Sequence, residues 1–126
     1  MTLPAVKRVY EAAAAADGTR ILVDRLWPRG IAKEKARVEL WLKELAPSHD
    51  LRKRFHGHPE TWDAFRAAYA TELAGADAQD ALRTLHEEMR RGRVTLLYAA
   101  RDEERNNAVA LRTWLAERMD TTGRER

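Results

Sequence analysis

The sequence predicts a single small α/β domain whose central sheet, mostly parallel, has about four strands and is flanked by helices. Two apolar runs, at residues 21–23 and 94–98, are typical of buried strands. Between these runs, hydrophobic residues recur at helical spacing. Strands that alternate with helices in this way favour parallel neighbours within one sheet.

The first two strands are predicted on either side of an alanine-rich connection. Residues 5–10 form the first strand, and the pair Asp17-Gly18 is a strong turn signal at the end of the connection. Residues 21–24 form the second strand, which should be central because it is apolar on both faces.

The next segment is predicted as a series of short elements. Residues 33–36 are expected to form a helical turn, whereas residues 38–42 fit either a third strand or a short helix. Ser48 is suited to cap a helix over residues 49–55, and Pro59 is suited to the first turn of another.

The second half of the chain is predicted to be mainly helical. One helix has an amphipathic face made by Trp62, Phe65, Tyr69 and Leu73. The next starts near Asp77 and carries Ala81, Leu82, Leu85 and Met89. After the strand at 94–98, a polar loop leads to a helix that carries Ala108, Leu111 and Leu115. Residues 1–120 are therefore taken as one domain, followed by a short polar tail at 121–126.

Composition excludes several function classes. The chain has 126 residues, enough for one buried core, and no apolar stretch approaches the roughly 18 residues of a membrane span. It has no cysteine, which excludes disulfides, a thiolate nucleophile and a sulfur-based metal site. With 23 basic and 20 acidic residues the net charge is only +3, so nucleic acid is not the expected partner. We expect a cytoplasmic protein that does not enter a membrane.

The first candidate site lies between Asp24 and Gly30, because functional groups of α/β proteins often follow a strand end. Arg25 and Arg29 can bind a phosphate or carboxylate through bidentate hydrogen bonds, and Gly30 is grouped with them as a ligand-binding residue. The alternative is structural, with Arg25 paired to a buried carboxylate and Trp27 in the core. That alternative is favoured for Trp27, and both remain open for Arg29.

The second candidate site is the loop and helix start after Tyr98. Backbone N–H groups and the helix dipole favour an anion at such a position. Asn106 and Asn107 are expected one turn into the helix, where asparagine is unfavourable. At least one of their amides should therefore bind a loop, a partner or a ligand. Asp24, Asp102 and Tyr98 all lie near strand ends and are the candidates for acid–base catalysis, which only geometry can test.

A metal site is not predicted. His49, His56 and His58 are close in sequence, but two histidines at i and i+2 do not share a helix face, and few carboxylates lie near them. No motif in the sequence indicates a cofactor.

Several of these stretches together resemble DUF488, a bacterial family of unknown function, in its YeaO-like branch. The resemblance covers residues 7–115, and its most specific part is Asp24-Arg25-Leu26-Trp27-Pro28-Arg29-Gly30. It implies a small cytoplasmic α/β domain and no particular activity. More loosely, the predicted strand, loop and helix at residues 94–115 resemble the active-site loop of rhodanese-like domains in their arrangement. Ala99 and Ala100 stand where those domains carry cysteine, so sulfur transfer is excluded.

Three functions fit the sequence. In the leading hypothesis a small anionic, phosphate-containing ligand binds between the two loops, with or without catalysis. In the second, the same residues form a structural ion-pair network, and the protein acts by contacting another protein or by forming a homodimer. In the third, scattered arginines bind nucleic acid, with a steep dependence on salt.

Overall fold

The computed structural model describes residues 2–124, with side chains up to residue 119, and contains one four-stranded sheet. The strands are β1 (Ala5–Arg8), β2 (Thr19–Leu22), β3 (Leu40–Trp41) and β4 (Val94–Tyr98). All three pairs are parallel, and the order across the sheet is β1-β4-β2-β3. The predicted α/β class, with a parallel sheet of four strands, is confirmed.

Within residues 2–124, the sheet is accompanied by five α-helices. They are α1 (Lys33–Ala36), α2 (His49–Phe55), α3 (Trp62–Leu73), α4 (Gln79–Arg91) and α5 (Asn107–Arg124). In the described part of the chain, no helix is long and apolar enough to cross a membrane. Of the predicted polar tail, residues 125 and 126 lie outside the described residues.

Two strands differ from their predicted bounds. β1 ends at Arg8, two residues before the predicted end. β2 begins at Thr19 because pairing with β4 recruits polar residues that apolar periodicity does not mark, and it ends at Leu22. Asp24 therefore follows the strand instead of ending it. The ambiguous segment at 38–42 contains β3, which pairs with β2.

The turn before β2 requires glycine. Gly18 has φ 65°, and a Cβ atom there would lie 2.1 Å from the Arg93 carbonyl oxygen. The same carbonyl accepts a hydrogen bond of 2.9 Å from the Thr19 N–H. The left-handed backbone of Gly18 and the close approach of Arg93, the residue before β4, both exclude a side chain at this position.

The two faces of the sheet are covered differently. Ile21 and Leu96 point into the larger core cluster, which α2, α3, α4 and α5 cover. Leu22 and Leu97 point into a smaller cluster on the other face. That cluster is covered by the segment between β2 and β3, through Trp27, Ile31, Ala36 and Val38, together with Trp41 of β3. Trp27 thus packs on a core cluster, as the structural alternative predicted.

Helix α2 is held in place at its first turn. Ser48 caps it as predicted, because its Oγ accepts a hydrogen bond of 3.1 Å from the Leu51 N–H. The Ser48 N–H and Oγ in turn donate to the Glu72 carboxylate of α3, at 2.8 and 2.5 Å. The Tyr69 hydroxyl, also on α3, donates to the Leu45 carbonyl. The position of α2 is thus tied to that of α3.

The strand order creates a crevice at one edge of the sheet. β2 and β4 are neighbours, and in a parallel sheet both carboxyl ends lie at the same edge. The chain leaving β2 crosses the face with the smaller cluster, whereas the chain leaving β4 enters α5 on the other face. Connections that diverge to opposite faces leave a crevice between neighbouring strand ends, which is where ligands bind in open α/β sheets.

Candidate functional site

Asp24 connects the two strand ends at this crevice. Its Oδ2 accepts a hydrogen bond of 2.9 Å from the Ala99 N–H, just after β4. Its Oδ1 accepts one of 3.0 Å from the Asn107 side-chain amide, which also donates to the Val23 carbonyl at 2.8 Å. The Trp41 indole donates to the Asp24 carbonyl at 2.7 Å. Both carboxylate oxygens therefore have donors, and no cation is among them.

The environment of Asp24 favours its neutral form. Burial raises the pKa of the Asp24 carboxyl above its ordinary value, and this effect outweighs the opposing hydrogen bonds from Asn107 and Ala99. The positive charge of Arg52 also opposes the increase without cancelling it. A carboxyl with a raised pKa beside a crevice has the electrostatic character of a general acid or base.

The two asparagines have separate roles, and the structure corrects their expected position. Asn106 precedes α5 and caps it, because its Oδ1 accepts a hydrogen bond of 2.9 Å from the Val109 N–H. Its amide donates to the Asp102 carbonyl at 2.9 Å. Asn107 is the first helical residue instead of lying one turn inside. Asparagine is much less unfavourable at a helix cap and at the first helical position than inside a helix. The expectation that at least one amide binds a loop is confirmed by the bond from Asn107 to the Val23 carbonyl.

Arg25 and Arg29 differ although only three residues separate them. Arg25 is half-buried, and its Nε and Nη2 donate to the Pro47 and Ala46 carbonyls, each at 3.2 Å. The structural alternative for Arg25 was thus wrong about the partner, since these acceptors are backbone carbonyls and not a carboxylate. Arg29 is exposed, and its carbonyl accepts a hydrogen bond of 2.7 Å from the Tyr10 hydroxyl. Among the described residues, its guanidinium forms no salt bridge.

A cleft of about 810 Å³ opens above Asp24. The two predicted loops form part of its wall, and the remainder comes from the end of α2 and the start of α3. No sequence pattern marked Arg52, Phe55, Trp62 or Phe65 as a site residue, although all four line this cleft. Arg101, which belongs to the second predicted loop, lines it as well. The amphipathic spacing of α3 identified Trp62 and Phe65 as inward-facing, but no sequence signal placed them beside the loops.

The cleft concentrates positive charge. Five arginines and two aspartates line it. Arg105 pairs with Asp102, whose Oδ2 lies 3.0 Å from the arginine Nε. Arg29, Arg52 and Arg101 are exposed, and among the described residues none of them forms a salt bridge. Three guanidinium groups therefore face solvent at the cleft without a carboxylate partner.

Asp102 is held in a turn before α5. Its Oδ1 accepts hydrogen bonds of 3.0 Å from the N–H groups of Glu104 and Arg105. The N–H bonds from Arg105 and Glu104 lower the pKa of the Asp102 carboxyl, and the Arg105 side chain adds to the effect. The pKa of Asp102 is thus shifted in the opposite direction to that of Asp24.

Two of the sequence candidates do not line the cleft. Tyr98 is 2% exposed and lies in the larger core cluster, where burial raises the pKa of its phenol. Gly30 has φ 76°, which suits glycine, and it is absent from the residues that face the cleft.

The three histidines considered as metal ligands also differ in whether they line the cleft. His56 and His58 line the cleft, whereas His49 does not. The His58 Nδ1 lies 3.2 Å from a Glu60 carboxylate oxygen. Within residues 2–124, no group of three or more histidines, cysteines, aspartates and glutamates could hold a metal ion.

Comparison with known proteins places this arrangement in a family. A family model described as the inactive DUF488-N3 subclade matches residues 5–126. The chain belongs to the DUF488 family. The resemblance found in the sequence is thus confirmed.

Curated relatives of this DUF488 protein support the same assignment. The uncharacterized protein YeaO of Escherichia coli K12 is 44% identical over 109 residues, which is 86% of this chain and 93% of the relative. The uncharacterized protein Rv3073c of Mycobacterium tuberculosis H37Rv is 43% identical over 106 residues, 84% of this chain and 87% of the relative. No solved structure gave a significant match.

Proposed function

We propose that this DUF488 protein binds a small anionic, phosphate-containing ligand in the cleft above Asp24. The observation that carries the proposal is the charge of the lining, five arginines against two aspartates. The whole chain is almost balanced, with 23 basic and 20 acidic residues. Positive charge that gathers in a concave site raises the local concentration of anions.

The geometry divides the arginines into supporting and binding groups. Arg25 and Arg105 already donate to protein acceptors and shape the wall. Arg29 and Arg101 come from the two loops, and Arg52 comes from α2. Guanidinium groups from three different segments can surround a phosphate, and each can donate two parallel hydrogen bonds to its oxygens.

Binding without catalysis is the form of the proposal that we favour. The matching family model is described as inactive, and the chain has no cysteine to act as a nucleophile. Asp24 is the candidate base for any turnover, and both of its oxygens already accept hydrogen bonds from the protein. These bonds support a structural role for Asp24, in which it keeps the two loops together beneath the ligand.

A thermal-shift experiment tests the proposal. Wild type is heated with phosphate, pyrophosphate, sugar phosphates or nucleotides, in parallel with Arg29→Ala and the matched control Arg90→Ala. Arg90 is exposed on α4, away from the cleft. A ligand at about 100 times its Kd stabilises the native state by about 2.7 kcal/mol, which raises the Tm by several degrees. We expect this increase in wild type and Arg90→Ala and its loss in Arg29→Ala.

Equal shifts in all three proteins would show that the stabilising anion binds elsewhere. The absence of a shift with every ligand would favour the structural ion-pair alternative. Release of a product by a protein that passes the binding test would overturn the non-catalytic form of the proposal but not the binding site itself.

A further inference from the structure

Three aromatic side chains line the cleft together with the charged groups. Phe55 at the end of α2, with Trp62 and Phe65 on α3, forms this aromatic wall. The Trp62 and Phe65 rings are stacked, with centroids 5.6 Å apart and planes at 17°. Phe55 meets Phe65 edge-on, at 5.8 Å and 80°. The three rings thus form one packed surface.

This wall is only partly used by the core. Phe55, Trp62 and Phe65 pack against the larger core cluster, but each remains partly exposed. Their neighbours Tyr69 and Leu73 on the same helix are each 1% exposed. The amphipathic face of α3 is therefore buried at its carboxyl-terminal end and open to the cleft at its amino-terminal end.

The combination defines a ligand with two parts. Aromatic side chains that are held rigidly by one another offer a flat surface on which a planar heteroaromatic ring can stack. Guanidinium groups without a carboxylate partner can bind an anionic group attached to that ring. A cleft of about 810 Å³ lies within the range of small-molecule sites, about 300–1,000 Å³, and has room for both parts.

We propose that the ligand is a free nucleoside phosphate. Its base stacks on the wall formed by Phe55, Trp62 and Phe65, and its phosphate binds the unpaired arginines of the two loops and α2. This inference rests on the proposed anion site and specifies its ligand class.

The charge outside the cleft favours a free nucleotide over a nucleic-acid strand. Apart from the five arginines and two aspartates that line the cleft, the sequence contains 18 basic and 18 acidic residues. A strand needs a positive groove that follows its backbone over several nucleotides. Because the charge outside the cleft is balanced, it provides no excess of positive charge for such a groove. A single phosphate group needs only the arginines that line the cleft.

Isothermal titration calorimetry with matched ligands tests the inference. The probes are AMP, GMP, CMP and UMP, with ribose 5-phosphate as the phosphate that lacks a base. We expect at least one nucleotide to bind about tenfold more tightly than ribose 5-phosphate, because stacking of one base raises affinity by roughly fivefold to more than a hundredfold.

Two tryptophan variants assign that preference to the wall. Trp62→Leu should remove the nucleotide preference and leave the affinity for ribose 5-phosphate unchanged. Trp114→Leu is the control, since Trp114 is also partly buried but lines a separate groove between α3 and α5. Trp62→Phe keeps a ring at the wall and should retain the preference, which separates lost stacking from a misfolded variant.

Each alternative result is decisive. Equal affinity for nucleotides and ribose 5-phosphate, both lost in Arg29→Ala, would overturn the nucleotide inference and leave the anion site in place. No binding of either compound would overturn both proposals. Binding of a short oligothymidylate, with steep salt dependence and no binding of mononucleotides, would replace the inference with a nucleic-acid function.

Discussion

The two ends of β2 each carry an aspartate, and the two carboxyl groups are stabilised in opposite ways. Asp17 precedes the strand and binds two cations, Lys7 and Arg20, through ion pairs of 3.2 and 2.6 Å. Asp24 follows the strand and binds only neutral N–H donors, from Ala99 and Asn107.

The pKa values of the two carboxyl groups reflect this difference. Burial opposes ionisation of Asp17, but the Ala14 N–H bond and the hydrogen bonds from Lys7 and Arg20 outweigh it, so its pKa is lowered. At Asp24 burial outweighs the donors, so the pKa is raised. At the Asp17 end of β2, the carboxylate is paired with cations of the protein itself. At the Asp24 end, nearby arginines have no carboxylate partner among the described residues and face the cleft. We infer that the first end supports stability and the second supports binding.

Removal of Arg20 should have the largest effect on stability. Arg20 is 3% exposed, and its guanidinium donates to the Asp17 carboxylate and to the Ala36 carbonyl. Arg20→Ala should lower the free energy of unfolding by about 3 kcal/mol, because it leaves buried acceptors without their donor. Urea unfolding measures this value. In the control Arg83→Ala, which breaks an exposed pair with Asp80, the loss should stay below about 0.5 kcal/mol.

Removal of Asp24 should have a smaller effect that is still clear. Asp24→Ala leaves the Ala99 N–H and one bond of the Asn107 amide without an acceptor, which should cost about 2 kcal/mol in unfolding free energy. Asn107→Ala should cost less, because the Asp24 carboxylate keeps the Ala99 donor. Wild-type stability in Asp24→Ala would contradict the role of Asp24 in joining the two loops.

Substitutions of the two arginines that follow Asp24 should differ in their effect on the stability of the protein. Arg25→Ala removes donors from two backbone carbonyls and should destabilise by about 1 kcal/mol. Arg29→Ala changes an exposed side chain and should stay within about 0.5 kcal/mol of wild type. Chemical denaturation of both variants measures the difference. Equal losses would contradict the assignment of Arg29 to ligand binding.

The pH dependence of stability should separate the two aspartates by sign. The stabilisation from Asp17 is fully present above its ordinary pKa of 3.8 and is lost as pH falls through the lowered folded value. For Asp24 the folded pKa is raised, so its contribution is most favourable below 3.8 and decreases as pH rises toward the folded value.

Unfolding of Asp17→Asn and Asp24→Asn across an acidic pH series measures these contributions as differences from wild type. The stability advantage of wild type over Asp17→Asn should grow with rising pH, and its advantage over Asp24→Asn should shrink. Slopes of the same sign in both variants would contradict the contrast between the two strand ends.

The sequence by itself determined the α/β class, the family and one segment of the candidate site. Apolar runs identified β2 and β4, and the Ser48 cap identified the start of α2. These features are local, because periodicity and capping depend on residues within a few positions of one another. For the same reason the turn at Gly18 could be predicted.

The tertiary structure alone decided how the site is assembled. The order β1-β4-β2-β3 brings Asp24 beside Asn107, which lies 83 residues further along the chain. Helical spacing showed that one face of α3 turns inward, but only packing left Trp62 and Phe65 open to a cleft. Likewise, Arg25 and Arg29 look equivalent in sequence. Their different roles depend on the fold, because only Arg25 reaches the Ala46 and Pro47 carbonyls that precede α2. Long-range strand pairing and the exposure that remains after packing are not encoded in local periodicity.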